Sequence, residues 1–232
     1  MDVPSLLLVL AVLAVFGFSL FWMIWSDKRK NTNRRQIALA LGFDSLDVVD
    51  EETCSRLIQL HQHTESQELV VQNASERREG ATRFVIFDLI DQGGDSTSTL
   101  VDAGVAIFSG DIQLPRFSLI PRVAEKGRLA EIANRFLAML IEKRSNRIRL
   151  KKNPHFEERY FLLGDDVPAI DLFLDEYRLS RLSQSTYRHL EADRDCFTYS
   201  RFVFSTPGKR NLLADLKRDI AEANVLLTLF SG

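Results

Sequence analysis

In the stretch FDLIDQGGD, three carboxylates, Asp88, Asp91 and Asp95, fall beside a Gly-Gly turn. Oxygen ligands on a flexible loop suit a hard divalent cation. The EF-hand spacing and its terminal Glu are absent, however, and turn chemistry accounts for Asp91 and Asp95, because short acidic side chains bond their own backbone. Asp88 interrupts an apolar strand, so it is expected to face solvent or to accept a hydrogen bond from a buried partner. The histidines His61 and His63 form HQH. On a helix, positions i and i+2 do not face each other, and no H-E-x-x-H or paired Cys accompanies them. They read as solvated helix-end side chains, and His155 and His189 stand isolated. Ser109 precedes a Gly without the G-x-S-x-G elbow, and Cys196 has no evident His partner. No phosphate-binding glycine motif occurs. No catalytic residue, metal ligand or cofactor is therefore expected.

The strongest local signal is basic. KRSNRIRLKK carries six positive charges in ten residues: Lys143, Arg144, Arg147, Arg149, Lys151 and Lys152. If 147–151 is a strand, Arg147, Arg149 and Lys151 share a face. Such a face suits an acidic partner or anionic lipid, the latter at ~1 kcal/mol per charge near a membrane surface. Base-stacking aromatics are not interleaved, which argues against nucleic acid. The plain structural alternative is a charged edge strand that resists aggregation.

These residues need a scaffold, and composition says what kind. The chain has 232 residues, 45% hydrophobic and 27% charged, which suits a globular domain. A net charge of −2 gives no global attraction to nucleic acid. Cys54 and Cys196 form no disulfide framework. Residues 6–25, LLLVLAVLAVFGFSLFWMIW, are uncharged. At helical rise that run would span a hydrocarbon core of about 30 Å, with Trp22 and Trp25 at its distal end. Five positive side chains, Lys28, Arg29, Lys30, Arg34 and Arg35, follow it and none precedes it. The asymmetry predicts an N-terminus outside and a C-terminal domain in the cytoplasm. The expected organisation is a short extracytoplasmic segment 1–5, a transmembrane helix 6–25, a basic linker 26–35 and a cytoplasmic domain 36–232.

Within that domain, residues 36–42 read as a short helix stopped at Gly42, and 50–65 as a second helix with Cys54, Leu57, Ile58 and Leu60 near one face. SQELVVQNASERREGATR reads as polar and turn-like toward its end, with Asn73-Ala74-Ser75 a weak glycosylation sequon on the wrong side of the membrane. RFVIFDLI, STLVDAGVAIFS and IQLPRFSLIP are rich in β formers and predict a three-stranded antiparallel meander. Pro115 and Pro121 should confine pairing to the residues between them, since Pro cannot donate to a ladder. An amphipathic helix follows, carrying Leu129, Ile132, Phe136, Leu137, Leu140 and Ile141. NRIRLKKNPHFEERYFLLG reads as strand, turn, strand. Pro168 suits a first helical turn, TYRHLEADRDCFTYSRFVF reads as two strands around ADRD, and a closing helix follows Pro207-Gly208. Pro115/Phe117 and Pro154/Phe156 repeat a Pro-x-Phe spacing without enough matching positions to define a duplication. Grouped strands with helices between them predict an α+β fold, an antiparallel sheet with packed helices behind an N-terminal transmembrane helix.

The order of a membrane helix, a basic exit, ALGF, FVIFDLIDQGGD, IQLPRFSLIP and NPHFEERYFLLG resembles an uncharacterised family of bacterial membrane-anchored proteins with an LPxFxLxP motif. Phe87-Asp88 matches its first strand, and Leu114, Pro115, Phe117, Leu119 and Pro121 match the motif. Arg122 stands in place of an acid and Leu89 in place of an aromatic. The resemblance loosely covers residues 36–230. It implies a single-pass protein of the bacterial inner membrane and this fold, and no activity. The functional expectation is a membrane-anchored binding module, most simply for a protein partner, with no nucleic acid. The alternatives are a membrane-tethered enzyme near Asp88, Asp91 and Asp95, and an anionic-lipid-binding module using the 143–152 run.

Overall fold

The computed structural model describes residues 35–46, 48–61, 68–93, 99–122, 134–135, 146–150, 153–184, 189–200 and 212–232. The first helix, α1, covers 35–40. It is followed by β1 (Asp44–Ser45), α2 (Glu51–His61), β2 (Leu69–Glu79), β3 (Thr82–Asp91), β4 (Thr99–Phe108) and β5 (Leu114–Pro121). Then come β6 (Arg147–Ile148), α3 (Pro154–Arg159), β7 (Tyr160–Gly164), α4 (Val167–Phe173) and α5 (Glu176–Gln184). The chain closes with β8 (His189–Arg194), β9 (Cys196–Ser200) and α6 (Leu212–Ser231). The strands form one antiparallel sheet in the order β1-β2-β3-β4-β9-β8-β5-β7-β6.

The expected fold class, with a transmembrane helix as its first element, is corrected. Among the described residues the structure is a nine-stranded antiparallel sheet with helices, and no helix is long and apolar enough to cross a membrane. Residues 6–25 lie outside the described residues, as do Lys28, Arg29, Lys30 and Arg34. Arg35 opens α1 and is exposed.

The sheet is buried on both faces. On β3, Phe84 and Ile86 enter the larger core cluster, while Val85, Phe87 and Leu89 enter the smaller one. A strand covered on both sides reads as an unbroken apolar run, which is why RFVIFDLI shows no alternation. The larger cluster collects Ile170 and Leu174 around α4, Leu179 and Leu182 of α5, and Leu216, Ile220, Ala223, Leu226 and Phe230 of α6. On the other face, α2 contributes Leu57. An acidic residue caps α2: the Thr53 amide donates to Asp50 Oδ1 at 2.8 Å, and Arg83 Nη2 of β3 lies 2.7 Å from Asp50 Oδ2. Burial alone would raise the Asp50 pKa; the Thr53 amide and Arg83 outweigh it and bring the pKa down to about 2. The helix is thus tied at its N-terminus to the strand it covers.

Four further expectations change. The segment read as polar and turn-like toward its end does turn there, at Gly80 and Ala81, but most of it is β2, an eleven-residue strand. Its register shifts between Gln72 and Ser75, where Asn73 takes φ +50°. The meander is not formed, because β4 pairs with β9 and β5 pairs with β7 and β8. Pro115 sits where the β5–β8 register shifts between Leu114 and Phe117, and Pro121 forms the last pair with β7. The missing donors therefore fall at a bulge and a strand end. The turn read before β7 is instead the helix α3, capped by Asn153, whose Oδ1 accepts from the Phe156 amide at 3.1 Å. Pro115 and Phe117 lie on a strand and Pro154 and Phe156 on a helix, so the Pro-x-Phe spacing marks no structural repeat. Pro168 does open α4, and Gly42, at φ +77°, ends the turn after α1. The amphipathic helix expected before residue 145 lies outside the described residues apart from 134–135, which are helical.

Candidate functional site

The α2 face of the sheet carries a polar row across four adjacent strands. Register puts it there: Gly104 of β4 pairs with Ser200 of β9, Ser200 with His189 of β8, Thr198 with Glu191, and Glu191 with Ser118 of β5. Paired residues share a face, and alternate residues share it along each strand. Asp102, Ser200, Thr198, His189, Glu191 and Ser118 thus lie together, while Val105, Ile107, Phe197, Tyr199, Leu190 and Leu119 point into the larger core. From α2, His61 descends onto this row one turn after Leu57.

The row is closely bonded. Asp102 Oδ2 lies 2.9 Å from His61 Nε2 and 3.4 Å from His189 Nδ1, and accepts from Ser200 Oγ at 2.8 Å. Asp102 Oδ1 accepts from the Ala103 amide at 2.7 Å. The far nitrogen of each ring is also engaged. His61 Nδ1 lies 2.9 Å from the Leu57 carbonyl oxygen, and His189 Nε2 lies 2.8 Å from Glu191 Oε1. Ser118 Oγ donates to that same Glu191 oxygen at 2.8 Å. The side chains of His61, Asp102 and Glu191 are 4% exposed or less, and that of His189 is 13% exposed, which makes it the member nearest solvent.

Burial would raise the Asp102 pKa, but the hydrogen bonds and charges of the two imidazoles hold it well below the usual carboxylate range. Burial would lower that of His189, but the Glu191 charge and the Asp102 hydrogen bond raise it to about 10. Gly104 sits at the row's edge. A Cβ there would come within 2.5 Å of the Tyr199 carbonyl oxygen and 2.7 Å of Ser200 Cβ. Its bare Cα therefore lets β9 come close enough for Ser200 to reach Asp102.

The sequence-derived candidates fare unevenly. Asp88 is buried and accepts from Asn73 Nδ2 at 2.8 Å; it does not face solvent, and its partner Asn73 is exposed rather than buried, so the bond differs from both outcomes expected for it. Asp91 Oδ1 accepts from the Gly93 amide at 2.9 Å and the Glu68 amide at 3.2 Å, a turn role. Asp95 and His63 lie outside the described residues. His61, read as solvated, is instead fully buried, because i+4 from the core residue Leu57 puts it on the inner face of α2. His189, read as isolated, meets it across the sheet. His155 is exposed beside Glu158. Ser109 is buried and accepts from Thr82 Oγ1 at 3.2 Å at the rim of a shallow cleft of about 420 Å³. Cys196 is buried, and burial pushes its thiol pKa far up, which makes it a poor nucleophile.

In the basic run, Lys143, Arg144, Lys151 and Lys152 lie outside the described residues. The strand is only Arg147–Ile148, shorter than the 147–151 expected. Arg147 lies half-buried and Arg149 is exposed, while Ile148 and Leu150, which alternate with them, are buried. The structure adds a residue not grouped with this run, Arg122, just past the end of β5. Its guanidinium carbon lies 4.1 Å from the centre of the Phe161 ring, and that of Arg147 lies 5.0 Å from it. Burial and the like charges of Arg147 and Arg149 lower the Arg122 pKa, against the opposing pull of Glu157.

No family model matches the chain, and no curated protein matches it. Among solved structures, it is similar to the crystal structure of the mycobacterial trehalose monomycolate transport factor A, TtfA. The TM-score is 0.47 at 11% identity, over 85% of this chain and 93% of that one.

Proposed function

We propose that this chain acts by binding rather than by catalysis, and that its contact face is the sheet edge bearing Arg122, Arg147 and Arg149, facing an acidic protein partner. The observation that carries the reading is the convergence of two guanidinium groups on Phe161, with a third like charge close enough to lower the Arg122 pKa. Planar guanidinium groups braced on an aromatic ring are pre-organised for carboxylates, which they bind in bidentate fashion. An acidic surface would relieve their mutual repulsion. Arg147 lies on β6, the terminal strand of the sheet among the described residues, with Arg149 just beyond it and Arg122 past the end of β5, so a partner can approach from that edge. Lys143, Arg144, Lys151 and Lys152 flank it in sequence and would extend the same charge.

The test is crosslinking and purification of the full-length chain from its native cells, beside an Arg147→Glu, Arg149→Glu double variant. The expected result is one stoichiometric acidic protein, retained at low salt, released at high salt and lost from the variant. Salt-sensitive binding to vesicles containing phosphatidylserine, with no protein captured, would transfer the surface to anionic lipid. A partner captured equally by both proteins would remove the arginines from the interface.

A further inference from the structure

The buried polar row holds more than a hydrogen-bond network needs. Three atoms, His61 Nε2, His189 Nδ1 and an Asp102 carboxylate oxygen, lie within 4.8 Å of one another. The opposite nitrogen of each ring faces an acceptor, the Leu57 carbonyl for His61 and the Glu191 carboxylate for His189. That is how proteins orient metal-binding imidazoles. The outer N–H is tied to a carbonyl or carboxylate, so the inner nitrogen presents its lone pair. Here both inner lone pairs would then point at a carboxylate oxygen, acceptor against acceptor, unless something positive lies between them. Two extra protons would serve. A single divalent cation would serve as well, and it would balance the two buried carboxylates, Asp102 and Glu191.

The geometry points to the second arrangement: we propose that His61, Asp102 and His189 bind a first-row divalent metal cation of the zinc class, with Glu191 and the Leu57 carbonyl orienting the rings. The donor set suits such an ion, since imidazole and carboxylate are zinc, cobalt and nickel ligands. Tetrahedral bonds of about 2.0 Å set ligand atoms about 3.3 Å apart. Asp102 Oδ2 is already 2.9 Å from one imidazole nitrogen and 3.4 Å from the other. Shifts of a few tenths of an ångström at that oxygen, with a rotation of the rings toward each other, would seat the ion. The Ser200 and Thr198 hydroxyls border the same point, 2.8 Å from Asp102 Oδ2 and 3.5 Å from His61 Nε2, and either one or a water could complete the shell. Because the site is nearly closed to solvent, the ion's role would be to join α2 to strands β4 and β8, as structural sites do. This inference is independent of the arginine surface and stands or falls without it.

The test uses the full-length chain, freed of metal by dialysis against a chelator and titrated with Co²⁺, then with Zn²⁺ as competitor. One equivalent of Co²⁺ should bind with a visible absorption band of tetrahedral type, and one equivalent of Zn²⁺ should displace it. His189→Gln should abolish the band, and His63→Ala should leave it intact, which separates this site from the HQH pair. If His189→Gln does not fold, the imidazole nitrogen resonances of the wild-type chain decide. Zn²⁺ should shift His61 Nε2 and His189 Nδ1 and leave His155 unmoved. Absence of stoichiometric binding, survival of the band in folded His189→Gln, or shifts confined to other histidines would overturn the proposal.

Discussion

Replacing Asp102 with Ala tests whether the buried row is held by its charges. The carboxylate takes His61 Nε2 at 2.9 Å, Ser200 Oγ at 2.8 Å and His189 Nδ1 at 3.4 Å on one oxygen, and the Ala103 amide at 2.7 Å on the other. Removing one partner of a buried ion pair costs about 3–5 kcal/mol where the opposite charge is left unpaired; Glu191 still faces His189 Nε2 at 2.8 Å, so the charge loss falls toward the lower end of that range. The stranded Ser200 hydroxyl would by itself cost about 1–3 kcal/mol. The two penalties arise at one place and overlap rather than add. A net loss of about 4 kcal/mol is expected, a large share of the roughly 5–15 kcal/mol that stabilises a typical domain. The assay is urea unfolding followed by circular dichroism, with chelator present so that bound metal adds to neither protein. With a slope of about 3 kcal/mol per molar urea, the midpoint should fall by about 1.3 M. Ser200→Ala should cost about 1.5–3 kcal/mol in the wild-type background, as for a hydrogen bond to a charged group, and should instead recover stability once Asp102 is gone, because it then removes the stranded hydroxyl. If Asp102→Ala stays within about 1 kcal/mol of wild type, against the 3–5 kcal/mol of an unpaired buried charge, the row is not held by its ion pairs. If Ser200→Ala costs the same in both backgrounds, the bond at 2.8 Å is not a stabilising one.

Three other perturbations have defined outcomes. Gly104→Ala places a Cβ 2.5 Å from the Tyr199 carbonyl oxygen, so β4 and β9 must separate; a loss of about 1–3 kcal/mol is expected, read as a lower urea midpoint. Asp50→Ala removes the α2 cap and its tie to Arg83, at about 1 kcal/mol, which lowers Tm by ~2–4 °C for a chain of this length. The folded pKa of Asp50 lies below its ordinary 3.8. Its stabilisation is thus present above that value and lost as pH falls through about 2, so the Tm gap between variant and wild type should narrow over that window. Cys196 is fully buried with its thiol pKa raised, while Cys54 is only partly buried. A thiol reagent at pH 8 should therefore modify one cysteine in the native chain and both in denaturant, and rapid native labelling of Cys196 would contradict the packing of β9.

The elements most legible in the sequence were those whose burial is local. RFVIFDLI, the strands around ADRD, the Pro168 helix start and the closing helix all carry their signals within a few residues. The closing helix does bury Leu216, Ile220 and Leu226, although Leu213 and Val225, expected on the same side, are exposed. β2 was hidden by its polarity, because much of LVVQNASERRE is only half-buried and a bulge at Asn73 breaks its alternation. The insertion of β9 and β8 between β4 and β5 has no local signature at all. Half of the buried row could have been phased. In HLEADRDCFTYS, His189, Glu191, Cys196, Thr198 and Ser200 alternate with core residues once the strands are drawn. His61 could have been placed from its i+4 relation to Leu57. That these two groups meet over Asp102 depends on tertiary packing, which no spacing within either segment encodes. Arg122 was missed for the same reason, since only the β5–β7–β6 order brings it to the ring that Arg147 covers.

The placement of β9 beside β4 also sets an order of assembly. Strands β2, β3 and β4 pair with their sequence neighbours through short connections, whereas Gly104 must find Ser200 across nearly a hundred residues. Closing a loop of that length carries an entropic cost of about 4 kcal/mol, so the N-terminal ladder is expected to form before the β8–β9 hairpin docks. Until then Asp102 lies on an edge strand and remains hydrated, and His189 and Glu191 arrive together on the incoming hairpin. The charges of the row are withdrawn from water in the same step that completes the sheet. A chain that failed to neutralise them would stall as a half-sheet with β4 exposed, open to pairing with another copy.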